Sequence, residues 1–280
     1  MRTPIFDNHV HLHPRGRHVE AAREFAKAGG THLVLSHLPY EAVQVTEGKH
    51  FAESYRITLD LAESVRRGVD IGVEVTVGPY PVLLMGLTER HGLDEAVEIM
   101  KTGMDEAQRL VLEGLAIGIG EIGRPHFPVP EDVLAASNEI MAYGMGLAKE
   151  AGCPVVLHTE SATPESMLEI ALMADRVGLP RRKVVKHYCP PLITQEENSG
   201  LFPSVLASRP AITEALSKGT RFMMETDFLD DPSRPGAVLA ITTVPKRTKA
   251  LLQSGGMSEE QAYIIHSENP KRVYGIEVKR

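Results

Sequence analysis

At 280 residues, with 42% apolar and 24% charged residues, the chain has the length and apolar supply for a sizeable core and reads as an ordinary soluble globular protein. Its 30 Lys and Arg against 37 Asp and Glu leave a net charge of −7, which argues against holding long nucleic acid through a basic footprint. No apolar stretch reaches the roughly 18 residues of a membrane span, no leader peptide is visible, and Cys153 and Cys189 belong to no C-x-x-C pair, so we expect a cytoplasmic protein with no disulfide framework and no membrane association.

Taken in chain order, short runs rich in Val, Ile and Leu alternate with amphipathic helical stretches. A strand is expected over Ile5–Leu12, then a helix over Val19–Ala28 that ends at Gly29-Gly30. A second strand, His32–Leu38, leads to a helix His50–Arg67 stopped by Gly68. The third strand, Ile71–Gly78, precedes a helix Leu93–Glu113. A fourth strand, Gly114–Glu121, is followed by a helix Pro130–Ala151 and Gly152. Strand Pro154–Thr159 and helix Glu165–Val177 end at Gly178, and strand Lys183–Tyr188 follows. Ser204–Ala207 supplies the seventh strand; read as a loop instead, it would leave only seven. Helix Pro210–Lys218 with Gly219 precedes the last strand, Thr220–Asp227, and helices Pro245–Gln253 and Ser258–Ile265 close the chain.

A glycine just past a helix accepts the left-handed backbone that ends it. Strands apolar on both faces belong to parallel sheets covered by helices. The expected fold is therefore α/β, a (β/α)8 TIM barrel forming one domain over residues 1–280, close to the roughly 250 residues such barrels take. The longest irregular segments, 39–49, 124–130, 189–202 and 228–244, all follow strands and would surround the catalytic face.

Six side chains able to bind a metal sit at the ends of these strands. His9 and His11 in FDNHVHL are two apart, so both project to one side of a strand. Glu121 lies among glycines in GIGEIG, where a carboxylate can approach and bridge two ions. His158 in VVLHTE and His187 in VVKHYC each terminate a Val-Val run, and Asp227 closes METDF. Taken singly, each has an ordinary alternative: a hydrogen-bonded buried imidazole, a solvated turn carboxylate, or a helix N-cap. Their recurrence on one rim is what points to a metal-dependent hydrolase. Asp227 is placed to accept a proton from an attacking water. Glu225 is read as a buried, paired structural acid, and His13 as a rim residue.

The order H-x-H, Glu, His, His, Asp on strands 1, 4, 5, 6 and 8 resembles the amidohydrolase superfamily, and within it the TatD-like metal-dependent hydrolases. The resemblance runs from DNHVHL through GEIG, LHTE, KHYC and ETDF to SENPKRVYG, and its most specific pieces are GEIG and ETD. It implies two divalent ions per chain. One would be held by His9, His11, Glu121 and Asp227, the other by Glu121, His158 and His187, with a metal-activated water as nucleophile and Asp227 as its base. The ligand set suits Zn²⁺ first, and also Mn²⁺, Fe²⁺ or Ni²⁺, with Mg²⁺ fitting less well.

The loops depart from that pattern. Arg124-Pro125-His126 stands where TatD-like nucleases have a Leu-Asp-Tyr stretch, Glu160 stands where they carry an arginine, and the last strand is followed by Asp230, Asp231 and Arg234. Arg124, His126, Glu160 and Arg234 are the expected substrate contacts, with an ion pair from Arg124 to Glu160 or Asp230 as the competing role of that arginine. A small anionic substrate is expected in preference to duplex DNA, with hydrolysis of a phosphoester first. Hydrolysis of a cyclic amide or lactone is the alternative, and a non-catalytic metal-binding barrel is a third reading from another class. Oligomerisation stays open.

Overall fold

The computed structural model describes residues 3–278. Its strands are β1 (Phe6–His11), β2 (His32–Ser36), β3 (Gly72–Val77), β4 (Gly118–Gly123), β5 (Val155–His158), β6 (Val184–Cys189), β7 (Phe202–Leu206), β8 (Met223–Glu225) and β9 (Phe228–Leu229). The helices α1 (Val19–Ala28), α2 (His50–Gly68), α3 (Leu83–His91), α4 (Leu93–Leu112), α5 (Glu131–Ala151), α6 (Pro164–Val177), α7 (Gln195–Asn198) and α8 (Arg209–Lys218) lie between strands. After the last strand come α9 (Thr243–Ser254), α10 (Glu259–Tyr263), a turn of π-helix (Ile264–Glu268) and α11 (Asn269–Tyr274).

All strand pairs are parallel, in the order β8-β7-β6-β5-β4-β3-β2-β1-β9. β8 and β9 stand at opposite ends of that order, yet only Thr226 and Asp227 separate them along the chain. The three Cα–Cα steps from Glu225 to Phe228 span at most about 11 Å, far less than the width of a sheet. The sheet must therefore close on itself, with β8 and β9 as two halves of one eighth strand. The molecule is a (β/α)8 TIM barrel, as the alternation of strand and helix implied.

The run FPSVLAS is a strand, although Pro203 lies within it, in register with Lys186 on β6. Gly29, Gly152 and Gly178 end their helices in the left-handed region, whereas Gly68 is the last residue of α2 and Val69 caps that helix. The sequence reading assigned no helix to Leu83–His91, where α3 runs into α4 across Gly92.

Two apolar layers build the core. Outside the barrel, Val155, Leu157 and Val184 pack with helical residues such as Met104, Met145 and Ile170. Inside it, near the strand starts, Phe6, Val34, Val156, Val185, Phe202 and Met223 pack together and against Val273 and Tyr274 of α11. This plug fills the N-terminal end of the barrel and leaves the other end for polar side chains.

Candidate metal centre

Strand parity alone does not place the site residues; the backbone is re-aimed at them. The sheet ladder slips register at three places: in β1 between Asp7 and Val10, in β4 between Gly120 and Ile122, and in β6 between Lys186 and Cys189. His9, Glu121 and His187 fall within those slips. A bulge adds a residue to one strand and turns its side chain. In β1, Asn8 faces the barrel interior, where it meets Ser204 and Tyr274, and the very next residue, His9, also points inward to stack on His187 at 3.9 Å.

The glycines of GIGEIG let β4 approach β5. A Cβ on Gly120 would lie 2.6 Å from the Val156 Cβ, and one on Gly123, whose φ is +137°, would lie 2.3 Å from the His158 carbonyl oxygen. That contact brings Glu121 beside His158. Asp227 takes φ +49°, a left-handed conformation that Asp tolerates better than most residues, and the eighth strand breaks there.

All six predicted ligands converge. His9 Nε2 lies 3.1 Å from His11 Nε2, and His11 Nε2 lies 3.4 Å from Asp227 Oδ1. Glu121 is central: its Oε1 is 3.1 Å from His158 Nδ1, 3.3 Å from His187 Nε2 and 3.6 Å from His9 Nε2, while its Oε2 is 3.6 Å from His11 Nε2. Donor atoms of His9, His11 and Asp227 lie within 4.8 Å of one another, as do those of Glu121, His158 and His187.

The surrounding hydrogen bonds test whether cations fit this set. His11 Nδ1 lies 3.0 Å from the Ser36 carbonyl, which can only accept, so Nδ1 carries a proton and Nε2 is the nitrogen turned inward. His9 Nδ1 faces the Ser36 hydroxyl at 3.1 Å. His187 Nδ1 makes an ionic contact of 2.9 Å with Glu225 Oε1, short in distance but not aligned as a hydrogen bond. These are the outer contacts that orient imidazole ligands. They aim ring nitrogens and carboxylate oxygens at common points, a donor set of the kind that divalent ions take once the rings give up their protons.

The electrostatics agree. Burial works against the charge on Glu121, but His9 and His187, with hydrogen bonds from His158 and His9, hold it well below the usual carboxylate range. Burial likewise opposes ionisation of Asp227, and His187 and His11 still hold its carboxyl below the ordinary value. His9 is driven up to about 9 by Glu121 despite its burial, whereas burial and the charge of His9 push His187 down.

Beside the centre opens a cleft of about 270 Å³ whose lining includes His126, His158, Glu160, Lys186, Tyr188 and Asp227. His126 Nδ1 stands 2.9 Å from His158 Nε2 at the mouth.

Arg124 does not join the cleft. Its guanidinium is buried and fully committed, to Asn138 Oδ1 at 2.6 Å, Glu160 Oε1 at 3.1 Å and Glu169 Oε1 at 2.5 Å. The competing ion pair with Glu160 is the one formed. Asp230 instead accepts backbone N–H groups of Arg17 and His18. Arg234 is exposed, pairs with Asp231 at 3.0 Å, and lines a neighbouring depression with His13 and Tyr80.

Several site residues were not found from the sequence. Ser36 serves both H-x-H rings, and Tyr80 approaches His158 Nε2 at 3.5 Å. Lys186 is nearly inaccessible to solvent; a lysine inside the apolar run VVKH was its signal. Glu225, read as a buried paired acid, is one. It accepts from Tyr188 N at 2.7 Å and from the Ser204 hydroxyl, besides facing His187.

The closed barrel carries these donor groups together on its C-terminal rim, where they could hold metal ions. The family described as TatD related DNase matches residues 6–275, and the chain belongs to this TatD-like family. An uncharacterized protein of Methanocaldococcus jannaschii is 39% identical over 99% of this chain and 97% of its own length. Among solved structures, the phosphotriesterase homology protein of Escherichia coli, with phosphate in its active site, shares the fold at a TM-score of 0.65 and 14% identity, covering 98% of this chain and 99% of that one. A mutant of a lactonase from Deinococcus radiodurans shares it at 0.63 and 15% identity, covering 98% and 96%. No helix among the described residues is long and apolar enough to cross a membrane.

Proposed function

We propose that the protein hydrolyses a phosphoester of a small molecule by a metal-activated water. The observation that carries this reading is Glu121, whose two oxygens stand between both donor groups. These residues would hold divalent ions, Zn²⁺ first on ligand chemistry, which would supply the Lewis acidity that activates a water near neutrality. His9, His11 and Asp227 would hold one ion and His158 and His187 a second, with Glu121 available to both. Asp227, kept ionised by its histidine neighbours, accepts the proton of the attacking water. The E. coli protein that carries phosphate on the same fold supports a phosphoester, as the D. radiodurans lactonase supports the alternative below, and a cleft of about 270 Å³ suits a small substrate better than duplex DNA.

A second reading, hydrolysis of a cyclic amide or lactone, draws on the commitment of Arg124 to Glu160 and Glu169, which removes one expected phosphate contact. The test is elemental analysis of chelator-free protein with turnover on panels of phosphoesters and lactones, for wild type and Glu121→Ala. We expect about two ions per chain in the wild type, a sharp fall in the variant, and phosphoester turnover only in the wild type. Turnover of lactones alone would replace the first reading by the second.

A further inference from the structure

The cleft holds a cation that none of these roles uses. Lys186 lies on β6 just before His187, and only 2% of its surface is exposed. It is the one Lys or Arg among the described residues lining the cleft. A buried ammonium has three protons to place and a charge to compensate. Among the described residues, Nζ donates one hydrogen bond, 2.7 Å to the backbone carbonyl of His187, and forms no ion pair. The acids of its surroundings are engaged elsewhere: Glu160 with Arg124, Glu225 with Tyr188, Ser204 and His187, and Glu121 with the four histidines.

The two arginines that the sequence offered to an anion are also spent, Arg124 on Glu160 and Glu169 and Arg234 on Asp231. Burial pushes the amine down, and Cys189, Glu225, Glu160 and Glu121 act the other way without reaching ion-pair distance, so on the cleft wall the ammonium has no direct anionic partner among the described residues. Holding the His187 carbonyl does not explain the charge, since a neutral amide donor would do the same.

We propose that Lys186 is the specificity residue of this cleft, its ammonium receiving an anionic oxygen of the bound substrate, a phosphoryl oxygen if the phosphoester reading above, on which this identification rests, is correct. A carboxylate offers the same charged oxygen chemistry, so phosphate and acetate serve as separate probes.

The experiment is calorimetric titration of the metal-loaded protein with inorganic phosphate and with acetate, alongside metal analysis. It compares the wild type, Lys186→Gln, which keeps a donor for the His187 carbonyl, and Lys186→Arg, which keeps the charge. We expect Lys186→Gln to bind phosphate at least about tenfold more weakly with unchanged metal content, a loss worth about 1.4 kcal/mol, and Lys186→Arg to recover most of the affinity. Equal phosphate affinity in wild type and Lys186→Gln overturns the assignment and leaves the hydrolase reading standing. Loss of metal together with phosphate in Lys186→Gln also overturns it, making Lys186 a support for His187. A wild type that binds neither anion overturns it as well. A preference for acetate with the same dependence on Lys186 keeps the anchor and removes the phosphoester.

Discussion

The two ends of the barrel are built from opposite materials. At the N-terminal end, Phe6, Val34, Val185, Phe202 and Tyr274 pack as a dry plug, and His266 beneath it is held between Phe6 and Thr248. At the C-terminal end, four imidazoles and two carboxylates face one another with little apolar contact. Strands tie both ends to the same hydrogen-bonded frame, so strain at the polar end is carried by packing at the other. This division between a stabilising face and a chemical face is general to such barrels, and here it can be tested residue by residue.

The largest effect should come from Asp227→Asn, which keeps shape but removes the proton acceptor. We expect kcat to fall about 10²- to 10⁴-fold, with the denaturant midpoint nearly unchanged and most of the metal retained. Turnover that survives the substitution would take the role of base away from Asp227.

The opposite end should respond to pH through folding. Burial pushes His266 down to about 4, although its hydrogen bond to the Phe6 backbone acts the other way. The unfolded chain, with an ordinary histidine near 6.5, therefore binds the proton more readily between those values. Stability is full above about pH 6.5 and falls as the pH drops toward about 4, by about 3 kcal/mol at most from this group. Urea denaturation across that range should show the loss in wild type and a flatter profile in His266→Gln; identical slopes would remove His266 as the cause.

Glu225 lies between the two ends and should join their properties. Glu225→Gln weakens the support of His187 and should lower metal affinity about 10- to 100-fold, read by competition with a chelating dye. Unchanged affinity would reduce Glu225 to a packing role. The smallest effects belong to the loops. Arg124→Met should cost about 2 kcal/mol, because Asn138 and two carboxylates lose their donor, with KM hardly moved. Arg234→Ala, which breaks one exposed pair, should cost under about 0.5 kcal/mol. A large rise of KM in Arg124→Met would return that arginine to substrate binding.

What could be read in the sequence follows the same division. Strand ends are legible because apolar runs and helix-ending glycines mark them, and a parallel barrel carries every strand end to one rim. That is why His9, His11, Glu121, His158, His187 and Asp227 were found together. The means of their convergence was hidden. The register slips at His9, Glu121 and His187 depend on which N–H meets which carbonyl across strands, and no periodicity records that. The pairing of Arg124 with Glu160 was one of the two roles weighed for it, but its second carboxylate was hidden for a related reason. Its partner Glu169 lies on α6, 45 residues away, and only the packing of α6 over the loop after β4 brings the two charges together. Lys186 was overlooked because a lysine in a strand-like run reads as a solvent-facing position, whereas here the side chain is buried along its length and reaches only the cleft wall.

The interruption of the eighth strand bears on how the protein is made. During synthesis, Glu121, His158 and His187 leave the ribosome well before Asp227, and β9, which seals the barrel against β1, comes later still. A nascent or prematurely terminated chain ending before residue 223 would carry one complete donor group beside a sheet whose outer strands lack partners. Such a product would be both hungry for metal and prone to associate through its open edges.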